Sequence, residues 1–494
     1  MNNAGLLKKL AGETAIYGMS SILARAINYL MVIVYTRVMS TSAYGVQAEF
    51  MGYVAVLQVL LTLGLETGCF RFANKEEYKA DTVFSNALMT VGILSAALLI
   101  ISIIFSEPLA VRMGYPGFGK VYVYLGLILF SDSVTAILFA RLRYQTKAWK
   151  FAIFRTLKIL TEVVTSCFLV FGLPHITGGD SGAWIYGLVS VEPDFTYPIF
   201  AILVSCIVAF LLFLPELVKF RFIIDRTVWK PLMLYSIPIM IAQLPGIVND
   251  FMDRYLFRFF NVDDSLWRSE LGIYQGCIKI AVLLSLFIQM FRYAAEPFFF
   301  SRAKDRNSRV LYAKVMEYFV AFCMLVFLGI MYYVDVFELL IGPEFRVGMD
   351  IVPVMLLAYV MLGMLFNVSM WYKLSDHSSF AIWITLAGVV VTTVINIVFL
   401  PRYSYHAAAW GHFSSYFTML LISVIFGNKY YKIPYRWGRI LSVIALALLF
   451  YGVSLLLPSG MNQWLRWGVC TVLLAGWCAV WYVTERMQPK TEVQ

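Results

Sequence analysis

The chain has 494 residues, of which 61% are hydrophobic and 14% are charged, and its formal net charge is +10. Soluble globular proteins carry about 25% charged residues, so the composition excludes an ordinary soluble protein. A mean hydropathy of +0.77 indicates a polytopic membrane protein instead. The excess of Lys and Arg lies on short loops, which favours contact with lipid headgroups over nucleic-acid binding.

Fourteen apolar runs are long enough to cross a bilayer, for which a helix needs about 20 residues. We therefore predict an all-α protein with fourteen transmembrane helices. In the segment 173–196, Pro193 and Asp194 interrupt the apolar pattern, and we expect an external loop with a short interfacial segment. The predicted spans are 14–36, 46–64, 83–105, 119–139, 151–172, 197–216, 229–251, 271–295, 312–334, 349–371, 380–400, 406–427, 438–457 and 464–484.

The Lys and Arg residues concentrate on alternate connections between these spans. Cytoplasmic loops keep an excess of such residues, so the pattern predicts that both termini are cytoplasmic. Arg155 and Lys158 count with the cytoplasmic connection between spans 4 and 5. Arg25 and Lys279 remain inside spans. The first apolar run lacks a cleavage site of small residues, so we expect an uncleaved first helix.

A weak internal repeat suggests how the spans are organised. Gly45 opens span 2 and Gly272 opens span 8 in the same local setting, and the same offset carries span 1 onto span 7. We predict a lobe over 1–218 with spans 1–6, a second over 219–430 with spans 7–12, and a segment 431–494 with spans 13–14 and a cytoplasmic tail. Parallel repeats around a site at the membrane midplane are common in transporters.

Arg25 in span 1 is the most informative polar residue. A charge near the centre of a span costs at least about 2.5–3.5 kcal/mol, so it normally faces a cavity or a partner. Ser21 and Asn28 lie one turn away on the same face. One interpretation is an ion pair that joins two helices. The other is a cavity cation for an anionic substrate, since a guanidinium can bond two phosphate oxygens at once.

Spans 7 and 8 carry further polar residues at helical spacing. Gln275 and Lys279 are four residues apart and share a face of span 8. Asp250, Asp253 and Arg254 lie toward the external end of span 7, where Asp253 and Arg254 are either cavity residues or a simple interfacial ion pair. We include all five among the predicted substrate-binding residues.

Carboxylates in spans 2, 4 and 5 are candidates for roles in gating and ion coupling. Glu66 and Arg71 lie where span 2 meets the cytoplasm, and we predict that they form the cytoplasmic rim of a cavity. Asp132 and Glu162 lie in spans 4 and 5. Any carboxylate that faces the cavity is a candidate to carry H⁺ or coordinate Na⁺ as the coupling ion.

No motif indicates catalysis. The sequence lacks a Gly-rich phosphate loop followed by Lys, a zinc-type ligand spacing and a soluble ATPase domain. We expect no catalytic residue, metal site or cofactor, and energy from an ion gradient, the membrane potential or the substrate gradient. The scattered cysteines are interpreted as small apolar side chains in helix packing: Cys69, Cys167, Cys206, Cys277, Cys323, Cys470 and Cys478.

Several short patterns follow one another along the chain. They are Arg37-Val38-Met39-Ser40 with Tyr44-Gly45, Gly64-Leu65-Glu66 with Arg71, Asp253-Arg254 through Gly272-Ile273-Tyr274, Ala295-Glu296-Pro297-Phe298, and Asn396 with Pro401 and Ala407-Ala408-Ala409. In this order the chain resembles the polysaccharide-exporter branch of the MOP flippase superfamily, the O-antigen (Wzx-type) flippases of lipid-linked oligosaccharides. Tyr405-His406 departs from that family's usual Gly pair.

The resemblance implies a V-shaped, two-lobed MOP/MATE-like fold with a central, often cationic cavity. It implies that undecaprenyl-pyrophosphate-linked repeat units move by alternating access from the cytoplasmic to the periplasmic leaflet of the bacterial inner membrane. Arg25 and Lys279, one from each lobe, are then expected to bind the pyrophosphate. Expected partners are this lipid-linked glycan, membrane lipids, and a glycan polymerase with glycosyltransferases, without nucleic acid.

Three alternatives stay open. A lipid II flippase of the same superfamily also needs a cavity arginine in span 1. A multidrug (MATE-type) exporter coupled to a cation gradient moves cations and favours acidic cavity residues over Arg25. A scaffold for glycan assembly enzymes predicts that Arg25→Ala leaves surface polysaccharide unchanged.

Overall fold

The computed structural model describes residues 27, 29–177, 183–218, 220, 224–260, 266–302, 307–375, 377, 379–458 and 460–486. Regular secondary structure in these residues is entirely helical. The predicted all-α class is therefore confirmed.

The helices follow one another along the chain. In the first half they are α1 (Tyr29–Val38), α2 (Thr41–Thr62), α3 (Leu65–Ala73), α4 (Ala80–Ile104), α5 (Ser106–Arg112), α6 (Gly119–Tyr144), α7 (Ala148–Cys167), α8 (Leu173–Thr177), α9 (Thr196–Leu217) and α10 (Arg226–Phe260). In the second half they are α11 (Trp267–Ser301), α12 (Ser308–Tyr332), α13 (Val334–Phe337), α14 (Val352–Val368), α15 (Met370–Leu374), α16 (Phe380–Tyr403), α17 (Tyr405–Tyr430), α18 (Trp437–Leu455) and α19 (Gln463–Arg486).

Within the described part of the chain, 13 helical segments are long and apolar enough to cross a membrane. They coincide one by one with predicted spans 2 to 14, from Thr41–Ala73 to Gln463–Arg486. Most of the predicted first span, 14–36, lies outside the described residues, and α1 is a shorter apolar helix at its end. The chain is a multi-pass membrane protein.

The connection before α9 contains the expected short segment, a helical turn over Trp184–Gly187. Asp194 then organises the start of α9. Its Oδ1 accepts hydrogen bonds from the backbone N–H of Thr196 at 2.8 Å and from the Thr196 hydroxyl at 2.6 Å. A carboxylate at this position satisfies an amide that has no partner within the helix and complements the helix dipole. Residues 178–182 of the predicted loop lie outside the described residues.

The chain divides into two compact units, Met1–Tyr255 with Ser265–Gly272 and Leu256–Asp264 with Ile273–Gln494. In the first unit α6 packs against α4 and α9, and α7 packs against α9. In the second unit α17 packs against α14 and α16, and α12 packs against α18. The lobe boundaries inferred from the sequence repeat stay a prediction.

Candidate functional site

A polar cavity of about 420 Å³ lies within the first unit, among α2, α3, α6 and α7. The lining residues of α6 and of α7 recur at three- and four-residue intervals, so each helix presents one continuous face to the cavity. The ionisable lining residues are three acids and three bases: Glu66, Asp132, Glu162, Arg143, Arg155 and Lys158. Their formal charges cancel.

Asp132 and Lys158 form an ion pair between the middles of α6 and α7. Their side chains are 27% and 22% exposed, respectively, because they line the cavity. Cys206 of α9 donates a weak hydrogen bond from Sγ to Oδ1 of Asp132 at 3.2 Å. Charges within a membrane span are costly unless they are paired and face a cavity. This pair meets both conditions.

The position of Lys158 corrects the loop assignment made from the sequence. Helix α7 begins at Ala148, and the apolar span that contains it continues to Thr177. At about 1.5 Å per residue, Lys158 lies about 15 Å along the helix axis from Ala148. It is therefore an intramembrane cation, not a loop cation. The sequence feature that could have indicated a charged face within this span is Glu162, one helical turn after Lys158.

A second ion pair belongs to the same cavity. Oε2 of Glu66 accepts a hydrogen bond from Nη2 of Arg143 at 2.9 Å, which joins α3 to α6. Oε1 of Gln58 accepts from Oγ of Ser133 at 3.3 Å, which joins α2 to α6. Glu66, predicted as a rim residue, is thus a lining residue of the cavity.

Arg71, the other predicted rim residue, occupies a different environment. Its side chain is exposed, and its guanidinium lies 4.3 Å from the centre of the Tyr235 ring. It does not belong to the cavity lining formed by α2, α3, α6 and α7. The structure therefore separates the two predicted rim residues.

The predicted cavity residues of span 1, Ser21, Arg25 and Asn28, lie outside the described residues. Their role stays a prediction. The described end of that span contacts α7, because the hydroxyl groups of Tyr35 and Ser166 share a hydrogen bond of 2.5 Å.

Arg254 of α10 contacts α2, and Asp253 precedes it on the same helix. Asp253 is buried, and its Oδ1 accepts the backbone N–H of Arg254 at 2.9 Å. Nη1 of Arg254 donates to the backbone carbonyl of Ala48 at 3.1 Å. Asp250, three residues before Asp253, is exposed. These contacts assign Arg254 a helix-joining role between α10 and α2, while its participation in substrate binding stays a prediction.

Gln275 and Lys279 belong to α11 in the second unit. Gln275 is buried and Lys279 is half-buried. Their four-residue spacing on a continuous helix confirms that they share a face. Their predicted contact with substrate stays a prediction.

A fully buried carboxylate on α2 was missed by the sequence analysis. Glu49 accepts hydrogen bonds from the hydroxyl groups of Tyr53 at 3.0 Å and Tyr115 at 2.5 Å. Burial and the neighbouring Glu49 charge raise the pKa of Tyr115, so its hydroxyl stays protonated as a donor. Tyr53 lies one turn away on α2, but Tyr115 lies in the distant connection between α5 and α6. Nothing in the sequence indicates the contact between Glu49 and Tyr115.

In the part of the chain that the structure describes, no group of three or more His, Cys, Asp or Glu side chains is placed to hold a metal ion. The seven cysteines are free thiols. Cys206 and Cys277 donate weak hydrogen bonds to Asp132 and to the carbonyl of Phe345, respectively.

Comparison with known proteins gives a family and a fold. A family model described as "Polysaccharide biosynthesis protein" matches residues 10–303. No curated protein matches the chain. The structure is similar to lipid II flippase MurJ in an inward closed conformation, with a TM-score of 0.70, 14% identity, and coverage of 94% of this chain and 98% of that one.

Two further solved structures share the fold. An inward-facing multidrug resistance MATE family transporter of the MOP superfamily gives a TM-score of 0.62 at 13% identity, covering 82% of this chain and 94% of that one. A MOP superfamily transporter from Pyrococcus furiosus gives a TM-score of 0.50 at 14% identity, covering 85% of this chain and 94% of that one. The MOP-type fold that the sequence resemblance implied is confirmed.

Proposed function

The chain belongs to the polysaccharide biosynthesis protein family, and on that premise we propose that it flips a lipid-linked oligosaccharide across a membrane. The proposed substrate is an undecaprenyl-pyrophosphate-linked repeat unit. The proposed direction is from the cytoplasmic to the periplasmic leaflet of the bacterial inner membrane, with both termini in the cytoplasm. The product would supply O-antigen, capsule or exopolysaccharide assembly.

The charged cavity of the first unit carries this proposal. Six ionisable side chains line it between helices that are otherwise apolar enough to span a membrane. Ionisable groups at such positions are expensive and normally mark a path for a polar substrate or an ion. A sugar headgroup needs many hydrogen-bonding partners of this kind, whereas its lipid tail needs none.

The membrane potential supplies a driving force for the proposed direction. Moving one elementary charge across 100 mV is worth about 2.3 kcal/mol. A pyrophosphate with two charges that leaves a negative cytoplasm would gain roughly 5 kcal/mol at that potential by the same relation, provided that no co-moving cation neutralises the charge. Arg25 and Lys279 are proposed, on sequence grounds, as cations that bind the pyrophosphate.

The experiment deletes the gene in its native organism and restores it on a plasmid. We expect loss of surface polysaccharide, accumulation of lipid-linked repeat units in the cytoplasmic leaflet, and rescue by the wild type. Arg25→Ala should fail to rescue at normal protein abundance, and Arg25→Lys should rescue in part because the two-point geometry is lost. Normal surface polysaccharide with Arg25→Ala would favour the scaffold alternative.

A second arm separates the related transport functions. The wild-type gene is expressed in cells depleted of their own lipid II flippase and in cells that lack multidrug exporters. Survival of the first strain would assign lipid II as the substrate. Resistance to cationic drugs in the second would assign multidrug export, and either result would overturn the proposed oligosaccharide substrate.

A further inference from the structure

We propose that Lys158 binds a phosphate-type anion in the first-unit cavity and that Asp132 occupies this position when the cavity is empty. Asp132 would act as an internal substitute for the ligand. The proposal relies on the proposed function for the source of the anion, while the site itself follows from the contacts of α6 and α7.

Lys158 is paired with a carboxylate but remains accessible from the cavity. Lys158 contacts Oδ1 of Asp132, and both side chains open onto the cavity. Besides Lys158, the same Oδ1 accepts a weak thiol donor from Cys206, at 3.2 Å. Another ion pair of the same helix lies away from the cavity: Nζ of Lys150 lies 2.6 Å from Oε1 of Glu216, and neither residue lines this cavity.

A carboxylate beside the amine has a role whenever a transporter carries no substrate. A transporter must change conformation without substrate, and a lone ammonium within a span would then be strongly destabilising. Asp132 neutralises Lys158 in that state. An arriving phosphate oxygen replaces the carboxylate as the partner of Lys158, so the amine is never left without an anion.

The exchange releases Asp132 from Lys158. The other charged residues that line the same cavity are Arg155 and Glu162 of α7, Glu66 of α3 and Arg143 of α6, and Cys206 of α9 contacts Asp132.

A lipid headgroup and a free anion offer the same phosphate oxygens. The test therefore uses the purified full-length chain in detergent with farnesyl pyrophosphate, inorganic pyrophosphate and farnesol as separate probes. Binding of both phosphate compounds that is weakened in Lys158→Gln supports the site with a free-anion preference. Binding of farnesyl pyrophosphate alone, weakened in the same variant, supports it with a lipid-headgroup preference. Binding of farnesol as tightly as farnesyl pyrophosphate would overturn the proposal.

Variants then test the exchange. Lys158→Gln should weaken binding of farnesyl pyrophosphate by tenfold or more, and Lys158→Arg should retain most of it. Asp132→Asn should bind several-fold more tightly at pH 8, because no carboxylate competes for Lys158.

Glu216→Gln is the matched control, since it removes a carboxylate from another Lys ion pair on α7 and should leave affinity unchanged. Unchanged affinity in Lys158→Gln, or equal affinity in Asp132→Asn and wild type, overturns the proposal.

Failure of the proposed Lys158 site can be distinguished from failure of the proposed flippase function. If deletion of the gene leaves glycan export intact while the binding pattern holds, the site stands and the transported substrate is a different phosphate compound. If export is lost on deletion but Lys158→Gln binds normally, the flippase function stands and this site is wrong.

Discussion

Gly45 on α2 and Gly272 on α11 lie in direct backbone contact, and neither position has room for a side chain. A Cβ on Gly45 would overlap the carbonyl oxygen of Arg268, and a Cβ on Gly272 would overlap the carbonyl oxygen of Thr41. The sequence offset that carries Gly45 onto Gly272 also carries Thr41 onto Arg268, so the contact is reciprocal. A hydrogen bond of 2.6 Å between the hydroxyl groups of Thr41 and Ser269 lies beside it. The two glycines of the predicted repeat therefore pack against each other.

This contact predicts a strong effect of Gly45→Leu. The overlapping atoms are backbone atoms, so no side-chain rotation can relieve the clash, and overpacking of this kind typically costs about 1–3 kcal/mol or more. We expect a lower thermal unfolding temperature of the purified protein, measured by intrinsic fluorescence. Gly92→Ala on α4 is the control, because no atom of the described residues lies within 4 Å of a Cβ there. An unchanged unfolding temperature for Gly45→Leu would contradict the contact.

The buried carboxylate on α2 gives a second prediction. Tyr115→Phe removes the donor at 2.5 Å from Glu49, and a buried acceptor that loses a partner typically costs about 1–3 kcal/mol. Tyr53→Phe removes the longer bond, from a side chain that is less buried, and should cost less. The thermal unfolding temperatures of the two variants test whether Tyr115→Phe is the more destabilising. A larger loss for Tyr53→Phe would show that Tyr115 does not hold Glu49.

The membrane spans were predictable because their signal is local. Each run needs only enough consecutive apolar residues, and spans 2 to 14 matched helices of the structure. The charge pattern was less reliable within a span. Lys158 was assigned to a loop because it follows several cations along the chain, and its partner Asp132 lies on another helix. A contact between side chains distant in sequence depends on helix rotation, which hydropathy does not report.

The site residues show the same limit. Glu66 could be linked to a cavity from the sequence, because a carboxylate at the end of a span normally faces water or a charged partner. Glu49 was not singled out, since its burial depends on Tyr115 from a separate connection. Arg254 was identified as polar within a span, but its bond to the carbonyl of Ala48 required the packing of α10 on α2.

Glu296 near the end of α11 predicts a pH-dependent stability. Burial alone would raise its pKa, but the ammonium of Lys373 at 2.5 Å and the guanidinium of Arg292 at 3.6 Å lower the pKa below its ordinary value of 4.5. Because the folded-state pKa is depressed, this contribution to stability is present above about pH 4.5 and is lost as the pH falls through the folded-state pKa.

Lys373→Met should therefore lower the unfolding temperature most at pH 7, and the difference from the wild type should shrink below pH 4.5. Lys373→Arg keeps a cation at this position and serves as the control. Unfolding temperatures measured between pH 7 and pH 4 test this. A gap between Lys373→Met and wild type that stays constant over that range would assign the effect to packing instead of charge.

The Asp132–Lys158 pair predicts a non-additive effect on stability. Asp132→Ala alone leaves the ammonium of Lys158 without its partner within a span, which we expect to cost up to about 3 kcal/mol because the cavity partly hydrates the charge. Replacing both residues, as Asp132→Leu with Lys158→Met, removes the uncompensated charge together with the pair. Apolar replacements of a buried ion pair are often neutral or stabilising, so the double variant should unfold at a higher temperature than Asp132→Ala. Recovery should be incomplete, because Lys158 also balances the charge of the nearby Glu162. A double variant no more stable than Asp132→Ala would show that the pair does not couple α6 to α7.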